Sequence, residues 1–203
     1  MSVNKQKKLA DKILDKLFLI DPYSIVAGGA PRDWHFGEMA TDIDVFFCVG
    51  RTATRGTVEQ MLSCFLPEPD SFVSEDDLPV SYEKNSALRC VRSYTVEETS
   101  VQLIELHTPS FDIVGTFPVN MSKVWYKNGR ITLERDFMIG EKTKLLYLTN
   151  PLYAKADKYV KKITEKFVVG KGYSWCQTRE FAEERLIKEA LGYNITGNEG
   201  ENK

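Results

Sequence analysis

The residues able to do chemistry in this chain are concentrated between positions 25 and 47. Asp42 and Asp44 stand one residue apart at the head of the apolar, β-prone run Ile43 to Val49. Side chains two apart on a strand point to the same face, so the two carboxylates converge on one point. Hard oxygen donors of that kind suit Mg²⁺ or Mn²⁺. Upstream, Gly28-Gly29 follows the short β-prone run Ser24-Ile25-Val26-Ala27 and precedes Ala30 to Phe36, which suits a helix with Pro31 in its first turn. Glycines allow positive φ and close backbone approach, and a helix N-terminus favours an anion such as a triphosphate. Arg32, one turn in, is placed to clamp a phosphate. Twelve residues, 30 to 41, separate Gly29 from Asp42. A phosphate cradle and a pair of metal-binding acids therefore fall on adjoining elements. Two cations held there would stabilise the attacking and leaving oxygens of an in-line phosphoryl displacement. Alone, a Gly-Gly is most often a turn and a D-x-D a solvated loop edge; their order, spacing and flanking apolar strands set this pair apart.

The elements that must position these residues follow from periodicity. Residues 4–19 carry Leu9, Ile13 and Leu17 on one face with lysines opposite, an amphipathic helix that Asp21-Pro22 stops. Gly37 ends the helix after the glycines. A further helix is expected over 56–65, a proline-bearing acidic loop with room for a short strand over 67–79, and strands over 87–96 and 100–106 joined at Glu97-Glu98-Thr99. Met121 to Lys127 and Arg130 to Glu134 read as a hairpin across Asn128-Gly129. From Asn150-Pro151 the pattern turns helical, with helices expected at 151–168 and 174–191. The tail 195–203 is polar and expected to fray. This order predicts an α+β fold with a helical C-terminal region. The expected domains are 1–149, a helical extension 150–194 and a flexible tail 195–203.

Composition narrows the function classes. The 203 residues carry 42% hydrophobic and 28% charged residues, the balance of a globular chain. A formal charge of −2 supplies no global field toward nucleic acid, so a nucleic-acid partner needs a local basic face. The stretch 155–172 offers one, with Lys155, Lys158, Lys161, Lys162, Lys166 and Lys171 against Asp157 and Glu165, and Tyr153, Tyr159, Phe167 and Tyr173 interleaved. It reads equally as the solvent side of an amphipathic helix. Cys48, Cys64, Cys90 and Cys176 are widely spaced, which points to reduced thiols and a cytoplasmic setting. With only His35 and His107, a His-rich metal site is excluded. No apolar run approaches the ~20 residues of a membrane span. Trp34 and His35 are expected to pack.

The run 25–47 resembles the nucleotidyltransferase superfamily, which includes DNA polymerase beta, poly(A) polymerases and CCA-adding enzymes. Those proteins carry an apolar residue, Gly-Gly or Gly-Ser, and roughly ten residues later Asp-h-Asp-h with h apolar. Gly28-Gly29-Ala30-Pro31-Arg32-Asp33 is also similar to the G-G-x-x-R-D signature of the poly(A) polymerase and CCA-adding head domain, with Pro31 where an aliphatic residue is usual. Small viral, phage-like proteins with a stand-alone head domain show the same two motifs and a similar size. The resemblance implies a nucleotidyltransferase-type mixed sheet with flanking helices. It further implies Mg²⁺ (or Mn²⁺) on Asp42 and Asp44, and a nucleoside triphosphate such as ATP at Gly28, Gly29 and Arg32.

The same resemblance implies a third carboxylate on a later strand beside the first. The candidate strand is 117–124, where Pro118 stands in place of an expected Asp; Asp112, the preferred catalytic candidate, and Glu105 are the acids that could substitute. Arg135-Asp136-Phe137 is similar to a nucleotide-holding R-R-D-F run, and Asp136 is read first as a residue at a helix start. Arg179-Glu180 and Glu183-Glu184-Arg185 read as a solvated helix face. Two functions stay open: nucleotidyl transfer to an acceptor hydroxyl on RNA, protein or a small molecule, or a binding protein that keeps the fold without the third acid. A dinucleotide-binding oxidoreductase is weaker, because the third glycine of G-x-G-x-x-G is missing.

Overall fold

A computed structural model describes residues 1–49, 55–74, 77, 87–155 and 157–193. The chain divides into two compact units, Met1–Thr116 with Val124–Thr132, and Phe117–Lys123 with Leu133–Lys203. The boundary expected at 149 thus lies inside the second unit.

The first unit opens with α1 (Val3–Leu17), capped by the Ser2 hydroxyl, which accepts from the Lys5 N–H at 3.4 Å. Ala10, Ile13, Leu14 and Leu17 recur at helical spacing and are buried. There follow β1 (Ile25–Ala27), α2 (Gly29–His35), β2 (Asp42–Cys48), α3 (Arg55–Leu62), β3 (Ser71–Ser74), β4 (Leu88–Val96) and β5 (Thr99–Leu106). A 3₁₀ turn (Ser110–Asp112) leads into α4 (Ile113–Thr116), and β6 (Val124–Lys127) and β7 (Arg130–Leu133) complete the strands. One seven-stranded mixed sheet results, in the order β3-β4-β5-β2-β1-β6-β7. β2 pairs in parallel with β5 and antiparallel with β1. This is the expected α+β class.

Strand periodicity sorts the sheet into two faces. Ile43, Val45 and Phe47 of β2, Val101 and Leu103 of β5 and Tyr94 of β4 pack with α1 and with Val58 and Leu62 of α3. Asp42 and Asp44 alternate with these residues and so point to the other side.

In the second unit lie α5 (Arg135–Thr143), β8 (Leu145–Leu146), α6 (Lys158–Thr164) with a π-helical continuation (Glu165–Val169), β9 (Ser174–Trp175) and α7 (Arg179–Ala190). Both expected C-terminal helices start late. Asn150 accepts the Leu152 N–H on its side chain at 3.0 Å, and its carbonyl takes the Tyr153 N–H at 3.2 Å, so Asn150-Pro151 forms a turn. Residues 174 and 175 pair with β8 instead of starting a helix, and Thr178 caps α7 by accepting the Phe181 N–H. The expected strand over 117–124 is also replaced, by a 3₁₀ turn at Asn120–Ser122, and β6 begins only at Val124. Part of the 67–79 loop and the tail 195–203 lie outside the described residues.

Both hairpins in the first unit use two-residue turns with left-handed central residues. Asn128 and Gly129 have φ of 51° and 75°, and Glu97 and Glu98 have 46° and 68°. Such turns match the strand twist, but glutamate is a poor occupant of that region. Replacing Glu97-Glu98 by Asn-Gly is expected to stabilise the protein by about 1 kcal/mol. A thermal melt checks this, and an unchanged or lower midpoint would contradict the turn assignment.

Candidate active site

Two carboxylates stay accessible at the start of β2 because their neighbours hold the strand in place. Gln6, buried on α1, donates through its amide nitrogen to the Ala40 carbonyl at 2.8 Å, and its amide oxygen accepts the Ala40 N–H at 3.0 Å. The same oxygen accepts the Trp34 indole N–H at 2.9 Å. One side chain thus fixes α2 and the residue two before Asp42. Nothing in the sequence marked Gln6, which lies among lysines in an amphipathic pattern. At the far end of β2, the buried Asp21 carboxylate accepts the Cys48 N–H at 2.9 Å and the Ser110 hydroxyl at 2.8 Å. Trp34 packs edge-on against Tyr126 with ring centroids 5.2 Å apart, a core role as expected. His35 packs against Phe36.

The structure brings Gly29, Arg32 and Asp42 together, and Asp44 follows Asp42 on the same face of β2. A methyl group added to Gly29 would lie 3.6 Å from Asp42 Oδ1 and 3.8 Å from a terminal nitrogen of Arg32. Both aspartates are half-buried. Arg32 is buried, and its Nε donates to Asp33 Oδ1 at 3.0 Å, which orients the guanidinium. Gly28 adopts φ 80° and ψ −116°, a conformation that requires glycine. Its N–H, however, donates to the Val124 carbonyl at 2.9 Å. Gly28 therefore shapes the turn and does not offer its own donor. Pro31 has no N–H, so the donors left at the turn are those of Gly29 and Ala30.

The other candidate acids lie elsewhere. Asp112 follows Ser110, which is bonded through Asp21 to the opposite end of β2; with six residues from Asp42 to Cys48, that end is about 20 Å away. Glu105 is opposite Phe47, on the core face. It is buried between Arg89 at 2.9 Å and Arg92 at 3.2 Å, and Cys90 donates to it at 3.3 Å. Burial, with Glu105 reinforcing and Arg92 opposing, pushes the Cys90 thiol up to about 11. Pro118 sits in the second unit, in no strand that pairs with β2. The strand beside the acid pair is β5, and the register sets Ser100 opposite Asp42 and Gln102 opposite Asp44. Neither residue is acidic.

Two half-buried carboxylates on one face, beside a glycine turn and an arginine, fit Mg²⁺, which is commonly held by one or two carboxylates together with substrate phosphates. Among the described residues, no group of three or more His, Cys, Asp and Glu side chains is assembled to hold a metal by protein ligands alone.

The second unit has its own polar cleft of about 330 Å³, lined by Lys123, Asp136, Tyr147, Thr149, Thr178 and Arg179 among others. Asp136 does more than start α5. Its carboxylate accepts from Lys123 Nζ at 3.0 Å and the Tyr147 hydroxyl at 3.0 Å, and pairs with Arg179 Nε at 3.3 Å. Burial, and then Asp136, raise the Tyr147 phenol well above its usual value. Arg179 is accordingly not a merely solvated residue. In the lysine-rich stretch, Phe167 is fully buried and stacks edge-on with buried Tyr173, while Lys158 and Lys161 are exposed. No described helix is long and apolar enough to cross a membrane.

No protein-family model matches this chain, and no curated protein matches it in sequence. Solved structures do match its fold. A CCA-adding enzyme in complex with CTP superposes with a TM-score of 0.60 at 13% identity, over 93% of this chain and 42% of that one. A CCA-adding enzyme in complex with ATP gives 0.60 at 13%, over 98% and 49%. The Thermotoga maritima CCA-adding enzyme complexed with tRNA gives 0.58 at 15%, over 93% and 43%. This chain therefore spans less than half the length of these proteins, and what it shares with them is the nucleotidyltransferase-type fold.

Three substitutions test how the site is held. Gln6→Leu strands the Trp34 N–H and both polar groups of Ala40, and is expected to cost on the order of 3 kcal/mol in denaturant unfolding. A cost below about 1 kcal/mol would remove Gln6 from that role. Gly28→Ala should cost about 2 kcal/mol through backbone strain. Gly29→Ala makes only ordinary contacts and should stay within about 1 kcal/mol of wild type. Equal costs for the two glycines would contradict the turn geometry.

Proposed function

We propose that this protein is a cytoplasmic, Mg²⁺-dependent nucleotidyltransferase that moves a nucleoside monophosphate from a nucleoside triphosphate to an acceptor hydroxyl. The observation that carries this reading is the meeting of Gly29 and Arg32 of α2 with Asp42, which shares one face of β2 with Asp44. The chemistry follows from that arrangement. The acceptor oxygen attacks the α-phosphorus, the bond from that phosphorus to the oxygen bridging the β-phosphorus breaks, and pyrophosphate leaves while the hydroxyl proton passes to solvent. Mg²⁺, held by Asp42 and Asp44, supplies charge neutralisation at the phosphates.

The remaining work falls to the chain's own groups. The N–H groups of Gly29 and Ala30, in the first turn of α2, are the backbone donors available to a phosphate. Arg32, held by Asp33, presents its guanidinium as a fixed countercharge. Positioning of this kind supplies most of the catalysis in phosphoryl transfer. The fold's occurrence in proteins solved with CTP, ATP and tRNA supports a nucleotide substrate and an RNA acceptor. Protein and small-molecule hydroxyls remain the other acceptor classes. For RNA, the exposed Lys158 and Lys161 offer a phosphate-binding face.

A second reading has a specific observation behind it. Ser100 and Gln102 stand where a third acid beside the pair would be, which favours a protein that binds nucleotide and transfers slowly or not at all.

Thermal stability with each of the four ribonucleoside triphosphates, with and without Mg²⁺, separates the outcomes. A ligand at about 100 times its Kd adds roughly 2.7 kcal/mol. A Mg²⁺-dependent shift that disappears in Asp42→Ala/Asp44→Ala is expected. No shift with any nucleotide would overturn the assignment.

A further inference from the structure

The face of the sheet that carries the acid pair continues across its neighbours in register. Asp44 is opposite Gln102, Gln102 is opposite Ser93, and Ser93 is opposite Ser71; one step along, Asp42 is opposite Ser100 and Ser100 is opposite Thr95. Residues directly opposite one another on neighbouring strands point to the same side. The two positions of β5 that flank the acids on their own face are therefore Ser100 and Gln102. Both are half-buried, and both are neutral. The one nearby acid of β5, Glu105, is on the other face and already paired with two arginines.

Gln102 differs from its neighbours in this row. Its backbone is held by both sheet partners, and among the described residues no hydrogen bond or ion pair occupies its side-chain amide. A half-buried amide beside a carboxylate, with capacity for two donors and one acceptor, is suited to meet a ligand that the carboxylate also meets. What it cannot supply is charge. Two divalent cations held about 4 Å apart repel one another, and shared carboxylates offset that repulsion. Asp42 and Asp44 bring two negative charges to this face, and the Arg32 guanidinium beside Asp42 offsets part of that charge, which leaves the chain little to hold a second divalent cation.

Resting on the nucleotide reading above, we propose that Gln102 is the third side chain of the Asp42–Asp44 site, and that it fixes the site at one divalent cation per bound nucleotide. Its amide oxygen or nitrogen meets the cation's hydration shell or a phosphate oxygen beside Asp44. The neutral side chain withholds the charge that a second cation needs. The site so built holds a metal–nucleotide complex firmly and activates the acceptor hydroxyl weakly.

The test counts Mn²⁺ bound to the full chain by electron paramagnetic resonance, with and without the α,β-methylene analogue of ATP. Wild type is expected to bind one Mn²⁺ per chain with the analogue, and Gln102→Glu two, with Mn²⁺ alone bound at least tenfold more tightly than by wild type. Two Mn²⁺ on wild type, or a count unchanged at one in folded Gln102→Glu, would overturn the proposal while leaving the nucleotide reading intact. Gln102→Leu, which adds no charge beside the acids, serves if the glutamate variant does not fold. It should weaken Mn²⁺–analogue binding about threefold to tenfold, and unchanged binding would remove Gln102 from the site. No Mn²⁺ or analogue bound to wild type at all would overturn the nucleotide reading and this proposal together.

Discussion

The arrangement of this protein's candidate site depends on how a single strand, β2, is held at both ends by buried polar side chains. Gln6 pairs with the N–H and the carbonyl of Ala40, acting as a one-residue substitute for a sheet neighbour just before the strand begins. Asp21 takes the N–H of Cys48 at the strand's end. Buried polar groups are costly when unpaired, so these contacts specify position more strongly than apolar packing, which tolerates small shifts. Between the two anchors, Ile43, Val45 and Phe47 are free to serve the core and the alternate positions to serve the site. Gln6 also holds Trp34, which ties the glycine turn and the acid pair to the same side chain.

Strand parity then decides which charged groups can act together. Asp42 and Asp44 share a face; Glu105, three positions out of step with the partner of Asp44, does not. On the core side the buried Glu105 pairs with the buried Arg92 and with the exposed Arg89, and Arg92 also lies 3.5 Å from Glu59. The two sides of one sheet thus carry two kinds of electrostatics. One is a set of ion pairs around the buried Glu105 and Arg92, and the other is an acid pair that has Arg32 on one side and the neutral Ser100 and Gln102 on the neighbouring strand.

The second unit is organised around a carboxylate as well. Asp136 collects a lysine, a tyrosine hydroxyl and an arginine from three separate segments of the chain. Its position in the first turn of α5 suits a negative charge, which the positive end of the helix dipole stabilises alongside the paired cations. Arg179 is shared with Glu183 one turn further along α7, so the pairing extends onto the last helix. Lys123, Asp136, Tyr147 and Arg179, which line the cleft beside this cluster, are all members of it.

The local parts of the fold are legible in short stretches of the sequence. The amphipathic first helix, the glycine turn, the Asp42-x-Asp44 strand and both hairpins were legible because each depends on residues within a few positions of one another: period, turn chemistry and same-face spacing. Which distant residues meet depends on long-range packing. By order along the chain the strand 117–124 is expected beside the acid pair, with Asp112 or Glu105 as the third acid in place of Pro118, but the neighbours of β2 are β1 and β5, and strand register is set by long-range pairing that no short window contains. The late starts of the C-terminal helices have a local cause, an Asx turn at Asn150 and a Thr178 cap, that a helical pattern of lysines and apolar residues masked. Gln6 was invisible for the opposite reason: a glutamine on a lysine-rich helix looks solvated until the fold brings Ala40 and Trp34 to it. Charge and hydrogen-bond partners are chosen by packing in three dimensions, and that choice separates the residues with the right chemistry from those with the right position.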